Sequence, residues 1–118
     1  MEKHDDDAVA IYIREVTSIE PLTKDEETRL FREFGESKAD RRNEVAARKL
    51  IENRLALVVA IAEKHSPSGV PMLDLIQEGN IGLMNAVKSF AERPTGDFAG
   101  YAANCIEEAI TKAFGKAK

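Results

Sequence analysis

Apolar residues recur at intervals of three and four positions along most of this chain, which is the period of one face of an α-helix. The strict apolar–polar alternation of a half-buried strand does not occur. The pattern therefore predicts one all-α domain over residues 1–118, a compact helical bundle. Within it we expect an N-terminal helical hairpin at about 7–36 and a core bundle at about 37–118.

Capping residues mark the start of the first two predicted helices. Asp6 or Asp7 is placed to cap a short first helix, because aspartate side chains accept hydrogen bonds from the free N–H groups of a first turn. Thr23, followed three residues later by Glu26, has the spacing of a capping box. The second helix therefore begins there and is expected to end near Gly35.

A long third helix is predicted next, capped by Ser37 and reaching about His65. The segment SPSGVP at 66–71 carries two prolines and a glycine, which end a helix. The remaining helices are expected at about 72–78, from about Asn80 to Phe90, and from about Phe98 to Phe114.

Two glycines three positions apart stand out in PMLDLIQEGNIGLM, residues 71–84. Each glycine inside a helix costs about 1 kcal/mol relative to alanine. Gly79 could end one helix while Asn80 caps the next. Alternatively, the stretch could form a surface shaped for something outside the protein. The local pattern leaves both interpretations open.

Composition limits the cellular setting. The chain has 118 residues and a single cysteine, Cys105, so an internal disulfide and a cysteine-rich zinc site are excluded. The acidic start MEKHDDD is unlike a secretion signal. The longest apolar run, LALVVAIA at 55–62, is far shorter than the roughly 20 residues that span a bilayer. We therefore expect a soluble cytoplasmic protein without a membrane segment.

Enzymatic signatures are missing from the sequence. His4 and His65 lack metal-binding spacing and are expected at the surface. Phosphate-binding glycine loops and the nucleophile elbow do not occur, and no nucleophile, base and orienting group stand together. We therefore expect no catalysis, no cofactor and no metal.

The net charge is −4 with a pI near 5.3, which matters because non-specific DNA affinity comes largely from cations that replace phosphate counterions. The densest basic segment is RRNEVAARK at 41–49, with Arg41, Arg42, Arg48 and Lys49. A charge cluster of this kind is usually the solvated face of an amphipathic helix.

One segment carries a specific family resemblance. LDLIQEGNIGLMNAV at 73–87, preceded by LIENRLALVVAIAEKH at 50–65, resembles the second conserved region of the primary sigma factors of bacterial RNA polymerase. The stretch at 7–33 resembles the helical segment that precedes this region, and 97–114 aligns with its last helix. The resemblance covers nearly the whole chain.

The resemblance implies a role in transcription initiation and a partner, the clamp coiled coil in the β′ subunit of RNA polymerase core. Gly79 and Gly82 would let this partner approach, and the apolar docking face could also pair with itself. Two alternatives remain: a divergent sigma-like regulator that competes for polymerase without recognising DNA, and a helical interaction module with no polymerase role. The implied contact residues are Leu55, Val58, Leu73, Asp74, Gln77, Glu78, Asn80 and Met84.

The last predicted helix departs from the family pattern. In sigma factors it contacts and opens promoter DNA, yet the family's tryptophan pair falls here on Asn104 and Cys105. The family's next arginine and glutamine fall on Glu107 and Glu108. Because an unpaired base needs a stacking platform and local positive charge, we expect autonomous promoter melting to be weak or lost.

Two positions of that helix keep the residue types that the family has on its DNA-facing side. Thr111 and Lys112 remain as candidate DNA-binding residues. From residue 95 to residue 118 the acidic and basic side chains are equal in number, so the helix that would approach DNA is neutral. The residues expected to pack into the core are Phe98, Tyr101, Ala102 and Ile110.

Overall fold

The part of the chain that the structure describes folds into six α-helices, so the all-α class predicted from the apolar periodicity is confirmed. The computed structural model describes the backbone of residues 2–36, 41–94 and 96–115 and the side chains of 7–35, 43–94 and 96–115, and these residues include no strand. A single 3-10 turn, Ser66–Ser68, lies between the fourth and fifth helices. The helices are α1 Glu2–Thr17, α2 Lys24–Glu36, α3 Arg41–Glu52, α4 Leu55–Lys64, α5 Met72–Glu92 and α6 Phe98–Phe114.

The predicted cap of α1 does not occur, whereas the predicted capping box of α2 does. Helix α1 begins at Glu2, so Asp7 lies inside the helix and the predicted cap at Asp6 or Asp7 is wrong. The capping box of α2 is confirmed: Thr23 N donates to Glu26 Oε1 at 2.8 Å, and Glu26 N donates to Thr23 Oγ1 at 3.1 Å. These reciprocal bonds satisfy N–H groups that have no partner inside the helix.

The long third helix is interrupted at Asn53, so the prediction of one helix to His65 is wrong. A tight turn, with Arg54 N donating to Ile51 O at 2.9 Å, separates α3 from α4. Asn53 Nδ2 donates to Glu20 O, and Asn53 Oδ1 accepts from Leu22 N, both at 2.9 Å. The asparagine therefore ties the loop after α1 to this junction. The predicted cap at Ser37 lies outside the described residues.

The predicted pair of helices at 72–78 and 80–90 is instead one continuous helix, α5. Gly79 and Gly82 are both buried inside it. A Cβ atom built on Gly79 would lie 2.7 Å from Val58 Cγ1, and one on Gly82 would lie 2.7 Å from the carbonyl oxygen of Cys105. The glycines therefore allow α4 and α6 to approach α5 closely, and neither glycine ends a helix.

Helix α5 is the centre of the fold and packs against α6 and α4, with further contacts to α2 and α3. Phe98, Ala102 and Ile110 are buried as predicted, whereas Tyr101 is partly buried at the edge of the core. The rings of Phe31, Phe90 and Phe98 form a cluster with centroids 4.8 to 5.2 Å apart, a spacing typical of tilted aromatic pairs.

The N-terminal helices make their main contacts with different helices of the bundle. Helix α1 packs against α4, and α2 packs against α3. Arg54 Nη2 donates to Glu27 Oε2 at 2.9 Å, and its guanidinium lies 5.9 Å from the centre of the Phe98 ring. This side chain therefore joins α4 to α2 and α6.

No helix in the described part of the chain is long and apolar enough to cross a membrane.

Candidate functional site

The exposed side of α5 carries three large apolar side chains. Leu73, Ile81 and Met84 are 48%, 45% and 42% exposed. Together with Gln77 they are spaced by four, four and three residues, so they share one helix face. We call the face formed by Leu73, Asp74, Gln77, Glu78, Ile81 and Met84 the outer face of α5. Isolated exposed apolar residues are normal, whereas a contiguous exposed apolar patch is typical of an interaction surface.

The polar side chains of the outer face are Asp74, Gln77 and Glu78. Asp74 and Gln77 are exposed, and Glu78 is half-buried. None of the three makes a side-chain hydrogen bond or ion pair with the residues that the structure describes. These groups are therefore available to a partner without the loss of an internal contact.

Asn80 lies at the border between the outer face and α1. Its side chain is half-buried, and Nδ2 lies 3.5 Å from the hydroxyl oxygen of Tyr12, a long contact for a donor and acceptor. Its Oδ1 is buried and has no hydrogen-bond partner among the residues that the structure describes. Asn80 is inside α5 and does not cap a helix, so that interpretation from the sequence is wrong.

Two expectations from the sequence change at this site. Val58 is 0% exposed and lies against Gly79 in the core, so the structure does not present its side chain to a partner. Gly79 and Gly82 face α4 and α6, so the approach that they permit is internal. Leu55 is partly exposed on α4.

Ile81 was missed by the sequence analysis. It stands between the two glycines and is exposed on the outer face of α5. The four-residue spacing from Gln77 and the three-residue spacing to Met84 could have identified it, provided that α5 was taken as one helix. With a helix break at Gly79, Gln77 and Ile81 would lie on different helices and would not share this spacing.

A buried histidine connects α4 to the face of α6. His65 is only 1% exposed, so the prediction of a surface histidine is wrong; the side chain of His4 lies outside the described residues. His65 Nε2 lies 2.7 Å from Glu107 Oε2. The same carboxylate oxygen accepts from Thr111 Oγ1 at 3.3 Å. Glu107 therefore holds both the histidine and one candidate DNA-binding residue.

The rest of this α6 face carries small, polar and charged residues. Asn104, Glu108 and Lys112 are exposed or partly exposed. Cys105 is half-buried, and burial raises the pKa of its thiol, with the Glu108 carboxylate as a further cause. The thiol is therefore neutral at physiological pH. Within the described residues no group of three histidine, cysteine or acidic side chains is arranged to hold a metal ion.

Comparison with known proteins identifies the family. A family model described as Sigma-70 region 2 matches residues 50–118. An RNA polymerase sigma factor SigA of Lactococcus lactis subsp. cremoris is 41% identical over 111 residues, which cover 92% of this chain and 29% of that protein. The SigA of a Bacillus species is 38% identical over 107 residues, covering 91% of this chain and 27% of the relative.

A third relative agrees with these two. The SigA of Listeria monocytogenes serovar 1/2a is 41% identical over 109 residues, which cover 91% of this chain and 27% of the relative. The chain thus spans less than a third of the length of the curated relatives it matches. The match includes α4, α5 and α6 in full, and with them the outer face of α5. The chain therefore belongs to the Sigma-70 region 2 family.

Proposed function

We propose that this chain acts in transcription initiation as a sigma-factor domain, and that the outer face of α5 docks on the clamp coiled coil in the β′ subunit of bacterial RNA polymerase. The observation that carries the proposal is the line of exposed Leu73, Ile81 and Met84 beside the unpaired Asp74 and Gln77. The chain's similarity to RNA polymerase sigma factors supports the choice of partner.

The chemistry of the outer face suits a helical partner. A ridge of apolar side chains on one helix fits the groove of another, and methionine adapts to an irregular surface. Asp74 offers a carboxylate that an arginine of the partner could engage with two hydrogen bonds. Gln77 can both donate and accept hydrogen bonds, so it contributes more to the orientation of the partner than to the buried area of the interface.

The buried side of α5 supports the same proposal. Gly79 and Gly82 hold the helix directly against α4 and α6, so the backbone behind the outer face is fixed by core packing. A binding surface on a rigid element loses little conformational entropy when its partner arrives. The glycines thus serve docking indirectly, by positioning the helix that presents the contact residues.

A binding titration tests docking. The purified chain is titrated against RNA polymerase core and against an isolated β′ clamp coiled-coil fragment. We expect saturable binding that Gln77→Ala weakens about tenfold, the loss typical of a central polar contact. Asn104→Ala is the matched control, because Asn104 is also an exposed amide but lies on α6, and it should leave the affinity unchanged.

Two outcomes would overturn the docking proposal. One is the absence of binding at concentrations of roughly tens of micromolar, because the affinity would then be weaker than a specific domain contact requires. The other is an equal effect of Gln77→Ala and Asn104→Ala. Circular dichroism of both variants must show unchanged helix content, so that a loss of folding is not taken for a loss of contact.

A second candidate function differs in the step after docking. The chain would occupy polymerase as a divergent regulator and would not melt promoter DNA. The observation that favours it is the pair of carboxylates on the α6 face, since Glu107 is held by His65 and Glu108 is exposed next to it in sequence. A promoter-opening assay with polymerase core distinguishes the two: open complexes support the sigma-factor role, and inhibition of a complete sigma factor without opening supports the regulator.

A further inference from the structure

Helix α1 lies against Asn80, a residue at the border of the proposed docking surface. Nδ2 of Asn80 is 3.5 Å from the hydroxyl oxygen of Tyr12 on α1. Oδ1 of Asn80 is buried and has no hydrogen-bond partner among the described residues. In this arrangement of the helices, a protein bound to the outer face of α5 cannot reach that oxygen.

The arrangement is unfavourable for the Asn80 side chain. A buried acceptor without a donor has lost its hydrogen bonds to water and gained none in exchange. The contact between Nδ2 and Tyr12 is long, so it compensates little for this loss. Buried unsatisfied groups are rare in native proteins, and stored strain is one explanation of them. Movement of α1 away from Asn80 would relieve this cost.

Helix α1 is attached to the bundle by a shallow apolar contact. Among its described side chains, which are those of residues 7–17, Val16 alone is buried. Tyr12 and Ile13 are partly buried against the core, and Ile11 is 51% exposed. A segment with few buried apolar contacts opens at a lower free energy than the whole domain. Helix α1 is therefore suited to local release.

The loop that follows α1 is held separately from the helix. Asn53 binds the Glu20 carbonyl and the Leu22 amide, each at 2.9 Å. Ser18 and Ile19 lie between the end of α1 and this fixed point. Hinges consist of a few loop residues that absorb a change in backbone direction. A released α1 would thus pivot about Ser18 and Ile19 while its loop stays on the bundle.

We propose that α1 is a hinged cover of Asn80, and that docking of the clamp coiled coil on the outer face of α5 displaces it. This inference rests on the proposed function, because the displacing partner is the one proposed there. Once α1 has moved, Oδ1 of Asn80 accepts a hydrogen bond from a donor of the partner. Docking and closure of α1 then compete, so loosening α1 raises the fraction of binding-competent molecules and the apparent affinity.

Hydrogen exchange of the full chain, measured by nuclear magnetic resonance with the isolated β′ clamp coiled-coil fragment, tests the cover. At saturating fragment we expect faster exchange at the amides of Tyr12, Ile13 and Val16, together with slower exchange along α5. Saturable binding with unchanged or slower exchange in α1 would overturn the cover and leave the docking proposal standing. Absence of binding would overturn the docking proposal and the cover with it.

Val16→Ala tests the competition by loosening the buried anchor of α1. It should tighten binding of the fragment about threefold, because a larger fraction of the molecules is open. Ile11→Ala is the matched control, since it truncates an exposed apolar side chain of the same helix and should leave the affinity unchanged. Weaker binding of Val16→Ala would show that α1 supports the docking surface, and would overturn the cover.

A double-mutant cycle tests whether the competition acts through Asn80. In the Asn80→Ala background, Val16→Ala should no longer tighten binding, because the residue that α1 covers is gone. An equal gain in both backgrounds would overturn the assignment of α1 as a cover of Asn80. The exchange experiment requires no variant, so it decides the proposal even where Val16→Ala lowers the stability of the whole chain.

Discussion

Val58 occupies the space that a side chain on Gly79 would need. A Cβ at Gly79 would lie 2.7 Å from Val58 Cγ1 and 3.3 Å from Ile106 Cγ2. Val58 and Ile106 are both fully buried, and a β-branched side chain has few alternative rotamers. The glycine is therefore required by the contact of α4, α5 and α6, although its position in the middle of a helix is locally unfavourable.

Gly82→Ala should destabilise the fold by about 1 kcal/mol or more. The added methyl must displace the Cys105 carbonyl and Ala109, and this overpacking exceeds the gain of about 1 kcal/mol in helix propensity. Urea unfolding measures the difference in free energy.

Gly100→Ala is the control for this substitution, because a Cβ there would meet ordinary contact at 3.7 Å from Asp97 Oδ2. It should leave stability unchanged or raise it slightly. Equal stability of the Gly82 and Gly100 variants would contradict the close contact.

The helical periodicity, the capping box at Thr23 and the bounds of α6 could be predicted from the sequence because they depend on neighbouring residues. The continuity of α5 could not. Gly79 is locally typical of a helix stop, and only the arrival of Val58 from another helix makes glycine the suitable residue there. His65 was assigned to the surface for the same reason, since its partner Glu107 lies 42 residues away in sequence.

Asn53→Ala should destabilise the protein by about 1 kcal/mol, because it removes two side-chain hydrogen bonds to the backbone between α1 and α2. The bond to the Glu20 carbonyl is exposed, so water replaces part of the loss. Hydrogen exchange should show faster exchange at the Leu22 amide. Asn104→Ala, which removes an exposed amide from α6, should change neither the free energy of unfolding nor the exchange rate of the Leu22 amide. An unchanged exchange rate at Leu22 in Asn53→Ala would contradict the role of the Asn53 side chain.

The capping box predicts a pH dependence in acid. The hydrogen bond from the Thr23 backbone N–H lowers the pKa of Glu26, and the Thr23 hydroxyl contributes. A carboxyl group whose pKa is lowered by folding stabilises the protein at pH values above its ordinary pKa of 4.5. This stabilisation is lost as the pH falls through the lower pKa of the folded state. Glu26→Gln should therefore reduce the loss of thermal stability on acidification.

Glu52→Gln is the matched control for the capping box. Glu52 is exposed and makes no hydrogen bond or ion pair with the described residues. This variant should keep the acid dependence of the unchanged protein. If the melting temperatures of the two variants depend on pH in the same way, the cap does not contribute the expected dependence.

The isolated chain should show no sequence-selective binding to a single-stranded promoter oligonucleotide. Asn104 and Cys105 offer no stacking platform, and Glu108 repels phosphate. Fluorescence anisotropy at two salt concentrations measures the affinity. Asn104→Trp with Cys105→Trp should add weak, salt-insensitive binding from base stacking, while selective and salt-sensitive binding by the unchanged chain would contradict the expectation.

The link between Asn53 and Glu20 also has a consequence for the order of folding during synthesis. The two residues are 33 positions apart, and a contact over such a separation forms only after the entropy cost of closing the loop is met. Helix α1 leaves the ribosome before α4, yet its neighbouring loop cannot be fixed until Asn53 has emerged. Helix α1 therefore takes its place only after Asn53 and its packing partner α4 have emerged, and a pause in translation before residue 53 would prolong its exposure.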